Sequence, residues 1–456
     1  MMRSMFSGIS GLRIHQTKMD VIGNNIANVN TTAFKASRVT FNEVFSQTLQ
    51  GASGASAQTG RGGRNPMQVG LGANIASVDT LMTTGAAQRT DNPFDLMING
   101  DGFFVVGDES GTYFTRAGAF RKDDEGNLVI PNGMKVYGWN TVETDSNTGV
   151  QTVVRANVGP LKLDSPENLT ASPAATTKIR LNGNINQIDG QSTNGISVQV
   201  QFYDSLGNLF NGILKATYDP TAKPPTWSFV GTAKDDDGNE QLDVMEIISA
   251  DGSYVGTVEI DTGRMQFDTS GKLALDSDGK PVLLQNVVIK RDSATLYKAN
   301  DDTKTVINLN STISSIEVSL EDLTQFTSKT NIDPIRVDGR EPGELTGYNI
   351  GSDGIIIGQY SNGQQKMLGQ VVIANFRNPA GLQKVGDNLF ATTPNSGDFD
   401  GIGEEPDLQG GVLEMSNVDL AKEFTEMITT QRGFQANSRI ITSSDEMLQE
   451  LVNLKR

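Results

Sequence analysis

A single histidine, His15, is all the imidazole this 456-residue chain holds. No second histidine can complete a His-based metal cluster or orient the first. A Ser-His-Asp triad would have to be built on His15, which lies in an amphipathic helical pattern, so it reads as a plain interface or solvent residue. There is no cysteine. That excludes a disulfide framework, thiolate metal sites and thiol links between subunits. The run Asp235 to Asn239 invites a calcium reading. It lacks the alternate-residue spacing and terminal Glu of an EF-hand loop, and reads as an exposed acidic turn. Gly70-Leu71-Gly72 lacks the third glycine and the βαβ context of a dinucleotide site. Acidic pairs for glycoside hydrolysis exist, but nothing places two in one cleft, and aromatic residues are only 6%. No catalytic, cofactor or metal site is expected.

The chemistry the chain does offer is apolar and periodic. Met5, Leu12, Met19 and Ile26 recur every seven residues near one end, and Leu413, Leu420, Met427, Phe434, Ile441 and Leu448 near the other. Ile9, Phe424 and Val452 add apolar positions four residues on. This is the a/d spacing of a coiled-coil seam. Helices with such seams need covering, by each other or by copies in neighbouring molecules. The polar interruptions Gln16, Gln431, Ser438 and Asp445 are awkward in a closed two-helix seam and acceptable where many helices meet. The pattern predicts a subunit of an assembly.

The first helix is expected over about 3–28, ending in NNIANVNTTAFK from Asn24 to Lys35. Asn tolerates the left-handed conformation that ends helices. Asn24, Asn25, Asn28 and Asn30 exceed what capping needs, and hydrogen bonding between subunits is a second role for them. A short helical pattern covers about Val39–Leu49, and the Gly/Ser-rich stretch Gln50–Pro66 reads as a flexible linker. From Val69 the signals are β. Asn99-Gly100 and Asp101-Gly102 mark a turn between LMI and FFVV, and Ile196, Val198, Val200 and Phe202 alternate strictly before a turn at Asp204–Asn208. The last helix is expected to begin at a capping box, Ser416 as N-cap and Asp419 returning to it, and to run to about Leu454.

The expected class is therefore α+β, mostly β, with N- and C-terminal coiled-coil-like helices enclosing two nested β-rich domains. Residues 1–34 and 415–456 form the paired terminal helices, 35–75 a flexible connector, 76–165 with 328–414 an inner β-domain, and 166–327 an outer inserted one. Charge limits the partners. Lys+Arg number 37 against Asp+Glu 54, a net charge of -17, which disfavours nucleic acid and anionic lipid. No segment has the ~18–20 apolar residues that span a bilayer, and no apolar run near Arg3 reads as a cleavable signal.

NNIANVNTTAFK, after an N-terminal heptad helix, resembles the signature of the flagellar rod and hook proteins. LEMSNVDLAKEFTEMITTQRGFQANSRIITSSDEML resembles the family's signature at the other end, and DLMINGDGFFVV, TRAGAF and GQYSNGQQKMLGQVVIANFRNPAGL are similar to its shared β-domain. Ala33 stands where the family often has Gly. The large insertion is similar to that of the hook members, whereas distal rod members share both ends but lack most of it. The resemblance implies a structural subunit of the bacterial flagellum, outside the cell. Copies would stack into a flexible helical tube that joins rod to filament and transmits torque. It implies export through the flagellar type III apparatus, and contacts with distal rod, hook cap and hook–filament junction proteins. It points to self-assembly through Met5, Leu12, Met19, Asn24, Asn25, Ile26, Asn28 and Asn30 at one end. At the other end it points to Leu420, Phe424, Met427, Gln431, Arg432, Phe434, Asn437, Ile441 and Leu448. The alternatives are a distal rod or other axial protein and, from another class, a secreted β-rich adhesin or hydrolase.

Overall fold

The computed structural model describes residues 2–54, 60, 62–108, 111–145, 150–192, 194–234, 240–290, 295–299, 307–308 and 315–454. Strands dominate, and long helices stand at the two ends of the chain. Two compact units are present. One comprises Met1–Ser165, Gly347–Gly358 and Lys366–Arg456; the other comprises Pro166–Thr346 and Gln359–Gln365.

In the first unit the N-terminal helix Met2–Ala27 packs along the C-terminal helix Leu420–Asn453. Four strands follow the first helix: β1 (Ser37–Glu43), β2 (Ser46–Gln50), β3 (Met67–Gly70) and β4 (Ala73–Thr80). β1 pairs antiparallel with β4, and β2 with β3. The helix expected over 39–49 is thus a pair of strands, and strands stand on both sides of the Gly/Ser-rich stretch of the expected connector, of which residues 55–59 and 61 lie outside the described residues. The reason is composition: Val39, Thr40, Phe41, Val44, Phe45 and Thr48 are β-branched or aromatic and prefer a pleated surface.

The β-core of this unit is built on Phe103–Asp108, whose apolar run is buried on both faces. Phe104 and Val106 point into one cluster with Leu96, Leu128, Val136 and Ile356. Phe103 and Val105 point into another with Phe114, Trp139 and Phe390. This strand pairs with Gly111–Thr115, Lys135–Trp139 and Ile373–Ala374. The turn at Asn99–Gly102 is present, with Gly100 at φ 92° and Gly102 at φ 122°. It does not close a hairpin: Leu96–Ile98 pairs with Leu408–Gly410 instead.

The second unit has a single core. Val198, Val200 and Phe202 face inward while Gln199 and Gln201 face out, and Ile196–Tyr203 forms a hairpin with Leu209–Asp219. Asp204 Oδ1 accepts from the backbone of Leu206 (2.9 Å) and Asn208 (2.7 Å), which holds the turn. Lys178–Asn184 runs parallel to Ile316–Thr324 and antiparallel to Asn331–Arg336. Trp227 fills the centre, its indole donating to Gln325 Oε1 at 2.8 Å. The acidic run at Asp235–Asn239 lies outside the described residues.

Candidate self-assembly interface

The two terminal helices meet along small and polar residues as much as along apolar ones. On the N-terminal helix the fully buried positions are Gly8, Gly11, Ile14, Ile22 and Asn25. On the C-terminal helix Thr430 and Ser444 are buried, with Met427, Phe434, Asn437, Ile441 and Leu448 half-buried around them. Spacings of three recur on the first helix, and threes and fours alternate on the last, as a helix seam requires. The glycines set the closeness. A Cβ on Gly8 would stand 3.2 Å from Ile441 Cγ1, and one on Gly11 only 2.6 Å from Asn437 Nδ2. On the facing helix, a Cβ on Gly433 would lie 2.7 Å from His15 Nε2. Lys18 Nζ closes one edge of the seam at 3.2 Å from Glu426 Oε2.

The seam read from heptads is therefore shifted by about a quarter of a turn on the first helix. Met5, Leu12, Met19 and Ile26 are half-buried and flank the contact rather than centre it. On the last helix Met427, Phe434, Asn437, Ile441 and Leu448 lie on the facing side. Leu420, Phe424, Gln431 and Arg432 are exposed and lie outside the pair. Glycine carries no hydrophobic signal, so Gly8, Gly11 and Gly433 were invisible to a search for apolar periodicity. Their close i, i+3 spacing on the first helix was the clue available.

Among the four asparagines, Asn25 is buried and ties the helix end to β1. Its side chain donates to Ser37 O at 2.8 Å and accepts from Ser37 N at 3.0 Å. Burial pushes the neighbouring Glu423 carboxyl up, partly offset by a hydrogen bond from Asn25. Asn28 bonds back to Asn24 O at 2.9 Å, a local terminator, while Asn24 and Asn30 are exposed.

The last helix starts at Leu420 with Asp419 as N-cap, not Ser416. Asp419 Oδ1 accepts from Ala421 N at 2.9 Å and Lys422 N at 3.3 Å. Asn417 is held elsewhere: its Oδ1 accepts from Ala36 N at 2.8 Å and its Nδ2 donates to Leu81 O at 2.8 Å. Those bonds fix the chain before the helix and move the start past the expected box.

Next to this joint sits a buried charge cluster. Lys35 Nζ contacts Glu414 Oε1 at 2.6 Å and donates to Thr83 O at 2.8 Å. Glu414 Oε1 also accepts from Gly85 N at 2.8 Å, and Arg116 Nη1 is 3.7 Å from Glu414 Oε2. Burial pushes the Lys35 ammonium below the ordinary lysine range, against the opposing pull of Glu414. Burial lowers Arg116 likewise. The cluster ties the chain after the first helix to the chain before the last. Gly70-Leu71-Gly72 lies at the end of an antiparallel ribbon, without a βαβ unit.

Outside the seam, large apolar side chains stay uncovered: Phe6 on the first helix, Phe424 and Ile428 (51% and 59% exposed) on the last, and Phe45, Met67, Val69 and Leu71 on the ribbon. Single exposed apolar residues are ordinary; several on two helices and one ribbon make a candidate interaction surface.

Comparison with known families accounts for most of the chain. Residues 5–35 match the family described as "Flagella basal body rod protein", and 409–454 match "Flagellar basal body rod FlgEFG protein C-terminal". Residues 97–188 match "Flagellar hook protein FlgE/F/G D1 domain", and 163–340 match "Flagellar basal body protein FlaE D2 domain". The chain is 37% identical over 467 residues to flagellar hook protein FlgE of Borreliella burgdorferi, covering 100% of both chains. It is 38% identical over 477 residues to the FlgE of Treponema pallidum, again over 100% of both. To flagellar basal-body rod protein FlgG of Bacillus subtilis it is 30% identical over 461 residues, 100% of both.

Proposed function

Since the chain belongs to the flagellar hook and basal-body rod family, we propose that it self-assembles through its terminal helices into the wall of a helical tube. It is a structural subunit of the flagellar hook and belongs to the flagellum. The role is mechanical rather than catalytic: the tube is a flexible joint that carries torque from rod to filament. The observation that carries this reading is the row of exposed apolar residues on a helix pair that is already packed. Phe424 and Ile428 point away from the first helix, so a second layer of helices from other copies has somewhere to bind. The likeness to a rod-named relative runs over the whole chain, the inserted unit included, so the hook reading rests on the hook-named relatives and the hook D1 match. Distal rod, hook cap and hook–filament junction proteins are the proposed neighbours, and the flagellar type III apparatus the proposed route. Among the described residues no helix is long and apolar enough to cross a membrane.

The test is assembly of the purified chain, followed by sedimentation and electron microscopy. Regular tubes are expected. A chain that stays monomeric at high concentration, with its β-units folded, would remove self-assembly through these surfaces.

A further inference from the structure

The chain's one histidine stands where the two terminal helices touch ring to backbone. The His15 imidazole lies against Gly433, where any side chain would strike it: a Cβ there would be 2.7 Å from Nε2. The Phe41 ring of β1 meets it edge-on, with centroids 6.2 Å apart. Its Nδ1 is buried and has no hydrogen-bond partner. The charge shown to act on it is Lys18. Its own helix presents Lys18, and the C-terminal helix presents Glu426, which Lys18 already engages at 3.2 Å. β1 offers the uncharged Phe41 ring, which Lys18 Nζ also overlies at 6.0 Å.

We propose that His15 is a proton-sensitive latch between the terminal helices. The neutral ring fits the notch left by Gly433 and holds the helices together; the protonated ring loosens them. In the imidazolium both nitrogens are donors. The buried Nδ1–H would then find no acceptor, and leaving a buried donor unpaired is costly. The added charge would sit beside that of Lys18. Burial first, and then Lys18, hold the imidazole below its ordinary value. The sign follows. The paired helices bind the proton less well than the separated ones, so pairing is fully favourable above the ordinary histidine pKa of ~6.5 and weakens as the pH falls below it. The device acts within one chain, so it stands or falls independently of the tube.

The histidine count makes the test clean. With histidine-labelled full-length protein, the single imidazole resonance is followed by NMR from about pH 8 to about pH 5, the range in which histidine titrates. In parallel, amide exchange in both terminal helices is measured and corrected for its intrinsic pH dependence. The expected result is a midpoint below that of free histidine, with helix protection falling by about tenfold for each unit by which the midpoint is lowered. In His15→Gln, which cannot titrate, that fall should vanish. A midpoint at or above that of free histidine overturns the proposal, and the native protein alone supplies it. So does an unchanged loss of protection in His15→Gln.

Discussion

Lys35 Nζ lies 2.6 Å from Glu414 Oε1, with both side chains fully buried, and the bond joins residues 379 apart in sequence. One follows the first helix and the other precedes the last. The pair therefore holds both helix roots on the β-core at one point. Its energetics are asymmetric. Removing one member of a buried pair typically costs about 3–5 kcal/mol, because the other charge is left unpaired. Glu414 also faces Arg116 at 3.7 Å.

Glu414→Gln should consequently destabilise more than Lys35→Met. The first strands two buried cations; the second leaves Glu414 with Arg116. The chain has two tryptophans, and each unit holds one, Trp139 and Trp227. Denaturant unfolding followed by Trp139 fluorescence in a Trp227→Phe background reports the first unit alone. The expected losses are about 3–5 kcal/mol for Glu414→Gln and clearly less for Lys35→Met. Equal losses would show that Arg116 takes no part.

Ala33 offers a prediction of opposite sign. It is buried and sits at φ 58°, with its N–H donating to Glu414 O at 2.8 Å. A non-glycine residue in this left-handed region bears roughly 1–2 kcal/mol of strain. Glycine relieves that strain but loses ~0.5–1 kcal/mol more chain entropy on folding. Ala33→Gly should therefore leave the first unit as stable or raise it by up to ~1 kcal/mol in the same Trp139 experiment. A marked loss would mean that the buried methyl group contributes more than the backbone strain takes away.

These two sites mark the border of what sequence could reveal. Local patterns were legible. The first helix runs Met2–Ala27 against an expected 3–28, and the alternation of Val198, Val200 and Phe202 became a strand with those residues inward. What depended on distant partners was not. Asp419 rather than Ser416 caps the last helix because Asn417 is held by Ala36 and Leu81, hundreds of residues away. The helix expected at 39–49 failed because the spacing of Val39, Phe41, Val44 and Phe45 suggests a helical face although their β-branched and aromatic side chains favour a strand. The partner β4 supplies the ladder that decides it. At the interface, Phe434 and Ile441 were legible as seam residues, but the glycines that let the helices approach were not.

The ribbon of β2 and β3 should be an assembly contact. Gln47 pairs with Val69, so Phe45 and Leu71, two residues along on each strand, share Val69's face. Phe45 is 68% exposed and Met67 53%. Isolated two-stranded ribbons are marginal in water, and an uncovered apolar face adds to that. Burying one such side chain is worth about 1.5–3 kcal/mol, and each 1.4 kcal/mol is a factor of ten in association. Phe45→Ser with Val69→Ser should raise the critical concentration for assembly at least tenfold, measured by sedimentation, while both tryptophan melts stay put. Unchanged assembly would reduce the ribbon to a spacer.

The sharpest test falls on the helix seam. Phe434 and Ile441 sit half-buried on the facing side of the last helix, Ile441 against Gly8 of the first. Full burial makes Phe→Ala cost ~3–5 kcal/mol and Ile→Ala ~2–5, so half-buried positions should lose about half of that each. Neither residue belongs to the β-cores. Each subunit of a tube would carry the same defect, so a loss that is modest in one chain multiplies along the polymer. The variant is Phe434→Ala with Ile441→Ala, compared with Phe424→Ala on the exposed side of the same helix. The double variant should abolish sedimentable tubes and loosen the helix pair in amide exchange, with Trp139 and Trp227 melting as before. Phe424→Ala should leave the pair intact and weaken only assembly, since its side chain is half exposed on the outer side of the helix. If the double variant formed normal tubes, the seam would be no part of the assembly. If Phe424→Ala loosened the helix pair, the division of the last helix into an inner and an outer face would be wrong.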